Sequence, residues 1–256
     1  MCLANGAVMD FLALDPKTTA LLLDVDGTLI DIKPSPHEVH VSAELRDLIA
    51  RLSRQMGGAL ALVSGRPIAD LDRLFAPLEL PAIGGHGAEI RLHAGKVKLG
   101  AVPLPDDMRR QLAGAAHPGS GIVVEDKGYS LALHYRSVPH DEKRLRATID
   151  AGRAAFPGEA TEVQHGKFMF EVKRPGISKG EAVRALMAEP PFADRQPVFI
   201  GDDVTDESVF AVLPQFKGLG YSVGRQFEGL AGIFDSPSQV RRALKDFAAR
   251  GQGATA

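Results

Sequence analysis

Hydrophobic positions along the chain fall into three kinds of run. The first is short and unbroken: "ALLLD" (20–24), "ALALV" (59–63) and "PVFIG" (197–201). Runs of that length without polar alternation suit strands buried on both faces of a parallel sheet. The second kind recurs at helical spacing. Leu45, Leu48, Ile49, Leu52 and Met56 form one such stripe, and Ser42 stands where an N-cap belongs. "SKGEAVRALM" (178–187) and "SPSQVRRALKDFAAR" (236–250) read as helices too. Each opens with a predicted capping box, Ser178 with Glu181 and Ser236 with Gln239. Pro67 and Pro237 fit the first turn of a helix, where proline is tolerated. Strand and helix alternate at both ends of the chain, the pattern of a parallel sheet covered by helices.

The third kind lies in the middle and alternates residue by residue. In "SLALHYR" (130–136), Leu131, Leu133 and Tyr135 point one way and Ser130, Ala132, His134 and Arg136 the other. In "KFMFEVK" (167–173), Phe168, Phe170 and Val172 oppose Lys167, Met169, Glu171 and Lys173, and in "GIVVEDK" (121–127) Glu125 and Lys127 share a face. Such strands have one face covered and one open. Helical stretches at "DDMRRQLAGAA" (106–116) and "DEKRLRATIDAGRAAF" (141–156) supply the cover. The reading is α/β. Residues 1–103 and 176–256 form a Rossmann-like parallel-sheet core, and residues 104–175 form a smaller α+β domain inserted into it.

Composition narrows the class. The 256 residues carry a formal net charge of −2 with both signs dispersed, which argues against a nucleic-acid stripe or a basic membrane patch. The single cysteine, Cys2, forbids an internal disulfide and fits a reducing compartment. The first residues lack the basic region of a signal peptide, and no apolar run approaches the roughly 18 residues that span a bilayer. A cytoplasmic protein is expected.

Four polar clusters stand where strands end or helices begin: Asp24-Val25-Asp26-Gly27-Thr28, Ser64-Gly65-Arg66, Ser178-Lys179-Gly180, and Gly201-Asp202-Asp203-Val204-Thr205-Asp206. In open α/β sheets ligands bind beyond the carboxyl ends of the strands. If Asp24, Asp26, Asp202, Asp203 and Asp206 converge, their repulsion calls for a cation, and these motifs offer only one lysine, Lys179. Oxygen ligands without cysteine or clustered histidine favour a hard ion, with Mg²⁺ the first choice. Such an ion with a lysine, a serine hydroxyl and helix N-termini makes a phosphate site. Gly27 permits a sharp turn that frees its amide for a phosphate oxygen. One carboxylate held in line can attack phosphorus, and a second can move the proton. Each cluster alone is an ordinary turn or cap; four in order are not.

"DVDGT", "SGR", "SKG" and "GDDVTD" resemble the four motifs of the haloacid dehalogenase (HAD) superfamily, and the insert resembles that superfamily's α/β cap. "GGHGAEIR", "EDKGYSLALHYR", "GKFMFEVKRPGISKG" and "GDDVTDESVF" are similar to the trehalose-phosphatase family within it. The resemblance implies hydrolysis of trehalose 6-phosphate through an aspartyl phosphate. It makes Asp24 nucleophile and Mg²⁺ ligand, and Asp26 the general acid/base with its carbonyl on the metal. Thr28 is to orient Asp26, Ser64 and Lys179 to hold the phosphate, Asp202 to bind the metal directly, and Asp203 and Asp206 to bind it directly or through water. Glu125, Lys127, Arg136, Lys167 and Glu171 are to read the sugar from an exposed polar face. Gly27 and Arg66 are placed at the substrate, Arg66 either capping its helix or reaching the ligand. His86 touches either the sugar or only the loop backbone. His134, on the face of Arg136, is a candidate to orient it. The implied partner is a small phosphosugar, with oligomeric state left open. Two other readings stay beside this one. One is a related phosphatase for sucrose phosphate or mannosyl-phosphoglycerate. The other is a phospho-receiver module, which the second aspartate of "DVDGT" and the chain length disfavour.

Overall fold

The computed structural model describes residues 9–32, 39–92, 97–99, 102–166 and 168–250. Strands β1 (Thr19–Asp24), β2 (Leu60–Val63), β3 (Ala82–Gly84), β4 (Glu89–Arg91) and β5 (Val97–Leu99) come first. They are followed by β6 (Val123–Asp126), β7 (Ser130–His134), β8 (Glu162–Gly166) and β9 (Met169–Lys173). Strands β10 (Gln196–Gly201), β11 (Leu219–Val223) and β12 (Gly232–Phe234) complete the set. Contacts divide the chain into two units, one of residues 1–100 with 178–256 and one of residues 101–177. The sequence pattern put the junctions at 103/104 and 175/176. The flanking residues are tied to the second unit by an Arg174 guanidinium bond to the Pro103 carbonyl at 3.2 Å and a Lys173 Nζ bond to the Ile177 carbonyl at 2.7 Å.

The first unit holds an eight-stranded sheet in the order β12-β11-β10-β1-β2-β3-β4-β5. Pairing is parallel from β12 to β3 and antiparallel for β4 and β5. The period of two in β1 sorts its apolar residues between two cores. Leu21 and Leu23 pack with Leu45, Ile49 and Leu52 of the helix Ala43–Gln55 and Val240, Leu244 and Phe247 of the helix Pro237–Arg250. Ala20 and Leu22 pack on the other face with Val183, Leu186 and Met187 of the helix Lys179–Met187. Asp24 has the parity of Leu22, so it emerges on the face of that helix. Register completes the placement. Asp24 lies opposite Val63 of β2, and Leu23 opposite Ile200 of β10. Ser64 and Asp202 therefore leave their strands at the same edge as Asp24.

The caps differ in part from expectation. Ser42 accepts the Leu45 amide at 3.2 Å and Ser178 the Glu181 amide at 3.2 Å. Glu181 does not close its box, because its carboxylate pairs with Arg184 at 2.7 Å. Gln239 accepts the amide of Asp235 rather than that of Ser236. The reciprocal capping box forms at Asp203 and Asp206, at the head of the turn Val204–Asp206.

The second unit is an antiparallel sheet, β6-β7-β9-β8. Leu131, Leu133, Tyr135, Phe170 and Val172 pack with Met108 and Leu112 of the helix Asp106–Ala113 and Leu145 and Ile149 of the helix Glu142–Ala154. Phe168 departs from the alternation. It precedes β9 with φ 57°, is 38% exposed, and its carbonyl accepts the Tyr135 amide at 2.9 Å. No helix among the described residues is long and apolar enough to cross a membrane.

Candidate active site

The carboxyl edge of the first unit's sheet gathers three acids and a lysine. Oxygens of Asp24, Asp202 and Asp206 lie within 4.8 Å of one another. Lys179 Nζ bridges two of them, at 2.8 Å from Asp24 Oδ1 and 2.7 Å from Asp206 Oδ1. Asp24, Asp206 and Lys179 are all buried. Lys179 opens its helix directly after the cap Ser178, so a cation sits at the positive end of a helix. Only the two carboxylates make that placement tolerable.

Backbone approach builds the rest. Gly27 has φ +83°, and a Cβ there would lie 2.1 Å from Asp202 Oδ2. A side chain at position 27 would displace the Asp202 carboxylate. Thr28 Oγ1 donates to Asp202 Oδ1 at 3.3 Å. This corrects the expectation that Thr28 orients Asp26. Asp26 is instead held by Arg66, whose Nε and Nη2 each lie 2.6 Å from one of its oxygens. Ser64, buried at the end of β2, accepts the Arg66 amide at 3.1 Å. Asp203 lies outside the acid triad. Its Oδ1 accepts the Val204 amide at 2.7 Å, and its own amide donates to Asp206 Oδ2 at 3.0 Å. Its observed role is to fix Asp206.

His86 has a left-handed backbone, φ 56°, and its amide donates to the Ser64 carbonyl at 3.1 Å. Its ring lies against Gly65, where a Cβ would come within 2.4 Å of Cε1. His86 thus contacts the motif-bearing loop, whatever else it touches. Glu89 of the same string accepts the Ile68 amide at 2.6 Å. Arg91 forks onto Asp72 at 2.8 and 2.6 Å. Those two residues serve the scaffold.

Electrostatics follow burial. Burial raises the Asp24 carboxyl well above its ordinary range; Lys179 opposes this, while Asp206 and Asp202 add to it. Asp202 is pushed up to about 6, first by burial and then by Asp206. Burial pulls the Lys179 ammonium down, but Asp24 and Asp206 outweigh it and hold the group charged. Three acids against one lysine leave an excess of negative charge. Asp24 Oδ2 is buried and meets no hydrogen-bond donor. An all-oxygen donor set with a bare oxygen fits a hard divalent cation.

In the second unit, Glu171 faces Glu125, Ala132 and Gln164 across one row of the sheet. The expectation that Glu171 is exposed fails: it is 3% exposed, accepting from Ser130 Oγ at 2.7 Å and Lys127 Nζ at 3.3 Å. Ser130 was sorted to this face from the sequence but given no role. Glu125 lies 3.5 Å from His134 Nε2. His134 therefore meets Glu125 rather than serving Arg136, which is exposed. Lys167 lies outside the described residues.

A Rossmann-like sheet with acids and a lysine at its carboxyl edge, interrupted in sequence by an α+β unit, defines a phosphatase of the HAD type. Solved structures share the fold. A trehalose-6-phosphate phosphatase related protein aligns with TM-score 0.70 at 24% identity over 91% of this chain and 98% of its own. The C-terminal domain of Candida albicans trehalose-6-phosphate phosphatase aligns with TM-score 0.74 at 20% identity over 94% and 95%. The trehalose-phosphatase family model matches residues 22–248, and the chain belongs to that family. It is 41% identical to the trehalose-6-phosphate phosphatase of Escherichia coli over 80% of this chain and 77% of that one. It is 39% identical to a probable trehalose-phosphate phosphatase of Sinorhizobium fredii over 89% and 86%.

Proposed function

We propose that this chain hydrolyses trehalose 6-phosphate to trehalose and phosphate with Mg²⁺ bound, through phospho-Asp24. The observation that carries the reading is the buried Asp24–Lys179–Asp206 bridge beside Asp202, in a chain of the trehalose-phosphatase family. Asp24, Asp202 and Asp206 would hold the cation, which supplies a counter-charge for the phosphate. Asp26 would join through its carbonyl, and Asp203 would act by fixing Asp206. Lys179 neutralises Asp24 enough for an anionic phosphate to approach, and Ser64 Oγ offers a donor to its oxygens. The Gly27 amide, expected to be free for the phosphate, donates to the Ile30 carbonyl at 2.8 Å instead. An Asp24 oxygen attacks phosphorus, the bond to the sugar oxygen breaks, and Asp26 gives that oxygen its proton. Water then attacks phosphorus, its proton passes to Asp26, and Asp24 leaves as a carboxylate.

The second unit, which we take as the cap of residues 104–175, is assigned the sugar, through Glu125, Lys127, Arg136 and Lys167; the buried Glu171 holds Lys127 and Ser130 rather than meeting the sugar itself. The setting is a reducing one such as the cytoplasm, in keeping with the single cysteine. Phosphate release across a panel of sugar phosphates, with Mg²⁺ and with chelator, tests the reading. The highest kcat/KM is expected for trehalose 6-phosphate, with release lost on chelation. A preference for a monosaccharide phosphate, sucrose phosphate or mannosyl-phosphoglycerate would move the assignment. Arg136→Ala is expected to lower kcat/KM for the disaccharide about 10-fold or more and for an aryl phosphate far less, since it removes one charged contact (~1.5–3 kcal/mol). Equal losses would take Arg136 out of the sugar site.

Cation binding should also be read in stability. Asp202, ordinarily near 3.8, titrates at about 6 in the folded metal-free protein. Between those values the folded state binds more protons than the unfolded one. Its contribution to stability is therefore lost as pH rises from about 4 to 6. A cation binds the ionised acids and must displace that proton at pH 5 but not at pH 7.5. Millimolar Mg²⁺ is expected to raise Tm by roughly 5 °C or more at pH 7.5 and clearly less at pH 5. A rise that is equal at both pH values, or absent, would count against the triad as the cation site.

A further inference from the structure

We propose that Arg66 is a positioning residue that aims the Asp26 carboxyl at the departing sugar oxygen. The inference rests on the phosphatase reading and assigns Arg66 a role distinct from gripping phosphate. The geometry is a rigid fork: Nε to Oδ2 and Nη2 to Oδ1, both at 2.6 Å. The anchor itself is fixed. The Arg66 amide donates to Ser64 Oγ at 3.1 Å, and its carbonyl accepts the Gly85 amide at 2.9 Å. Pro67 follows and confines the Arg66 backbone to extended conformations. Asp26 needs such a partner. Its side chain is 34% exposed against 14% for Arg66, so packing alone leaves it freedom to rotate. Thr28, the neighbouring candidate, is engaged with Asp202 instead.

The fork suits the proton step. As an Asp24 oxygen bonds to phosphorus and the phosphorus–sugar oxygen bond breaks, the sugar oxygen takes the proton carried by one Asp26 oxygen. Arg66 keeps its bond to the other oxygen, so the carboxyl can turn about that contact without being released. In the second step the proton of the attacking water returns to that same oxygen, while the Arg66 bond to the other oxygen keeps the carboxyl in place. A misaimed acid costs rate in the step where the leaving oxygen needs a proton.

Leaving-group dependence separates this role from phosphate binding. The sugar oxygen of trehalose 6-phosphate needs a proton to depart, whereas the nitrophenolate of p-nitrophenyl phosphate does not, and the phosphoryl group is common to both. Values of kcat/KM report the phosphorylation half-reaction. Arg66→Met is expected to lower kcat/KM for trehalose 6-phosphate about 10²-fold and for p-nitrophenyl phosphate about 10-fold or less. Asp26→Asn should show the same inequality. Arg66→Lys, which keeps the charge but not the fork, should recover only part of the loss and stay unequal between the substrates. Equal losses with both substrates would make Arg66 a phosphate ligand and overturn the proposal while leaving the phosphatase reading intact. Should Arg66→Met not fold, Arg66→Lys carries the same comparison with the same two outcomes. A wild-type protein that splits neither compound with Mg²⁺ present would instead remove the phosphatase reading, and this inference with it.

Discussion

Asp24→Asn is expected to lower phosphate release by about 10³-fold or more, while the metal-free protein melts near the wild-type temperature. The two halves of that expectation come from one geometry. Asp24 is the carboxylate that ends the central strand, and an amide oxygen in its place is too weak a nucleophile to attack phosphorus. The fold has little to lose from the change. Burial already opposes ionisation of Asp24, and an uncharged amide removes repulsion with Asp206 and Asp202. Lys179 keeps its 2.7 Å bond to Asp206. The rise in Tm on adding Mg²⁺ should shrink, because one carboxylate of the triad is gone. Release assays and melting curves on the purified variant check both halves. Activity above a few per cent of wild type would mean that another group attacks phosphorus.

Lys179→Met is expected to do the reverse, damaging the fold as well as the chemistry. Its ammonium is the cation between two buried carboxylates, at 2.8 and 2.7 Å. Removing one member of a buried ionic cluster leaves uncompensated charge and costs about 3–5 kcal/mol. In a chain of this length that is a fall in Tm of about 10 °C. The loss should be largest at neutral pH without cation. It should shrink towards pH 5, where Asp24, already raised well above its ordinary range, more readily takes up a proton. Mg²⁺ should restore part of it by taking over the charge of the acids. Phosphate release should fall by about 10²-fold or more with the cation present, because Lys179 also faces the incoming phosphate. Melting curves with and without Mg²⁺ at the two pH values decide the matter. A Tm unchanged in the metal-free variant at neutral pH would show that the lysine does not hold the acid pair.

The strands that place the chemistry were legible because they are buried on both faces and read as plain apolar runs: β1, β2 and β10. Their ends carry Asp24, Ser64 and Asp202, so the edge where the site forms could be read from local pattern. Short strands were not legible. β3, β4, β5 and β12 are three residues each, too brief to show a period. β8 was hidden for another reason. Only Val163 of β8 packs on the apolar core; His165, two residues on, stacks on Phe170 at 4.9 Å but is itself exposed, so the strand shows no apolar alternation. Phe168 shows the converse, an apolar residue in register that the left-handed backbone at the turn takes out of the sheet.

Pairings across the site could not be read from pattern at all. Arg66 and Asp26 are 40 residues apart and Thr28 and Asp202 are 174 apart, and each partner looks like an ordinary loop residue. The family resemblance implied Thr28 as the partner of Asp26; the approach of Gly27 to Asp202 delivers Thr28 elsewhere. Glu171 was placed on the correct face, yet its burial depends on Lys127 and Ser130 closing on it from neighbouring strands. The alternation gives a face; only the tertiary pairs say which of its residues stay open.

Mixing the protein with trehalose 6-phosphate and Mg²⁺, quenching in acid within a single turnover, and mapping the phosphoryl group by peptide mass spectrometry tests the central claim in one step. The expected result is one phosphoryl group on Asp24, with trehalose released no later than the adduct forms and before free phosphate. A phosphoryl group on another residue, or complete turnover with no adduct at any quench time, would contradict it.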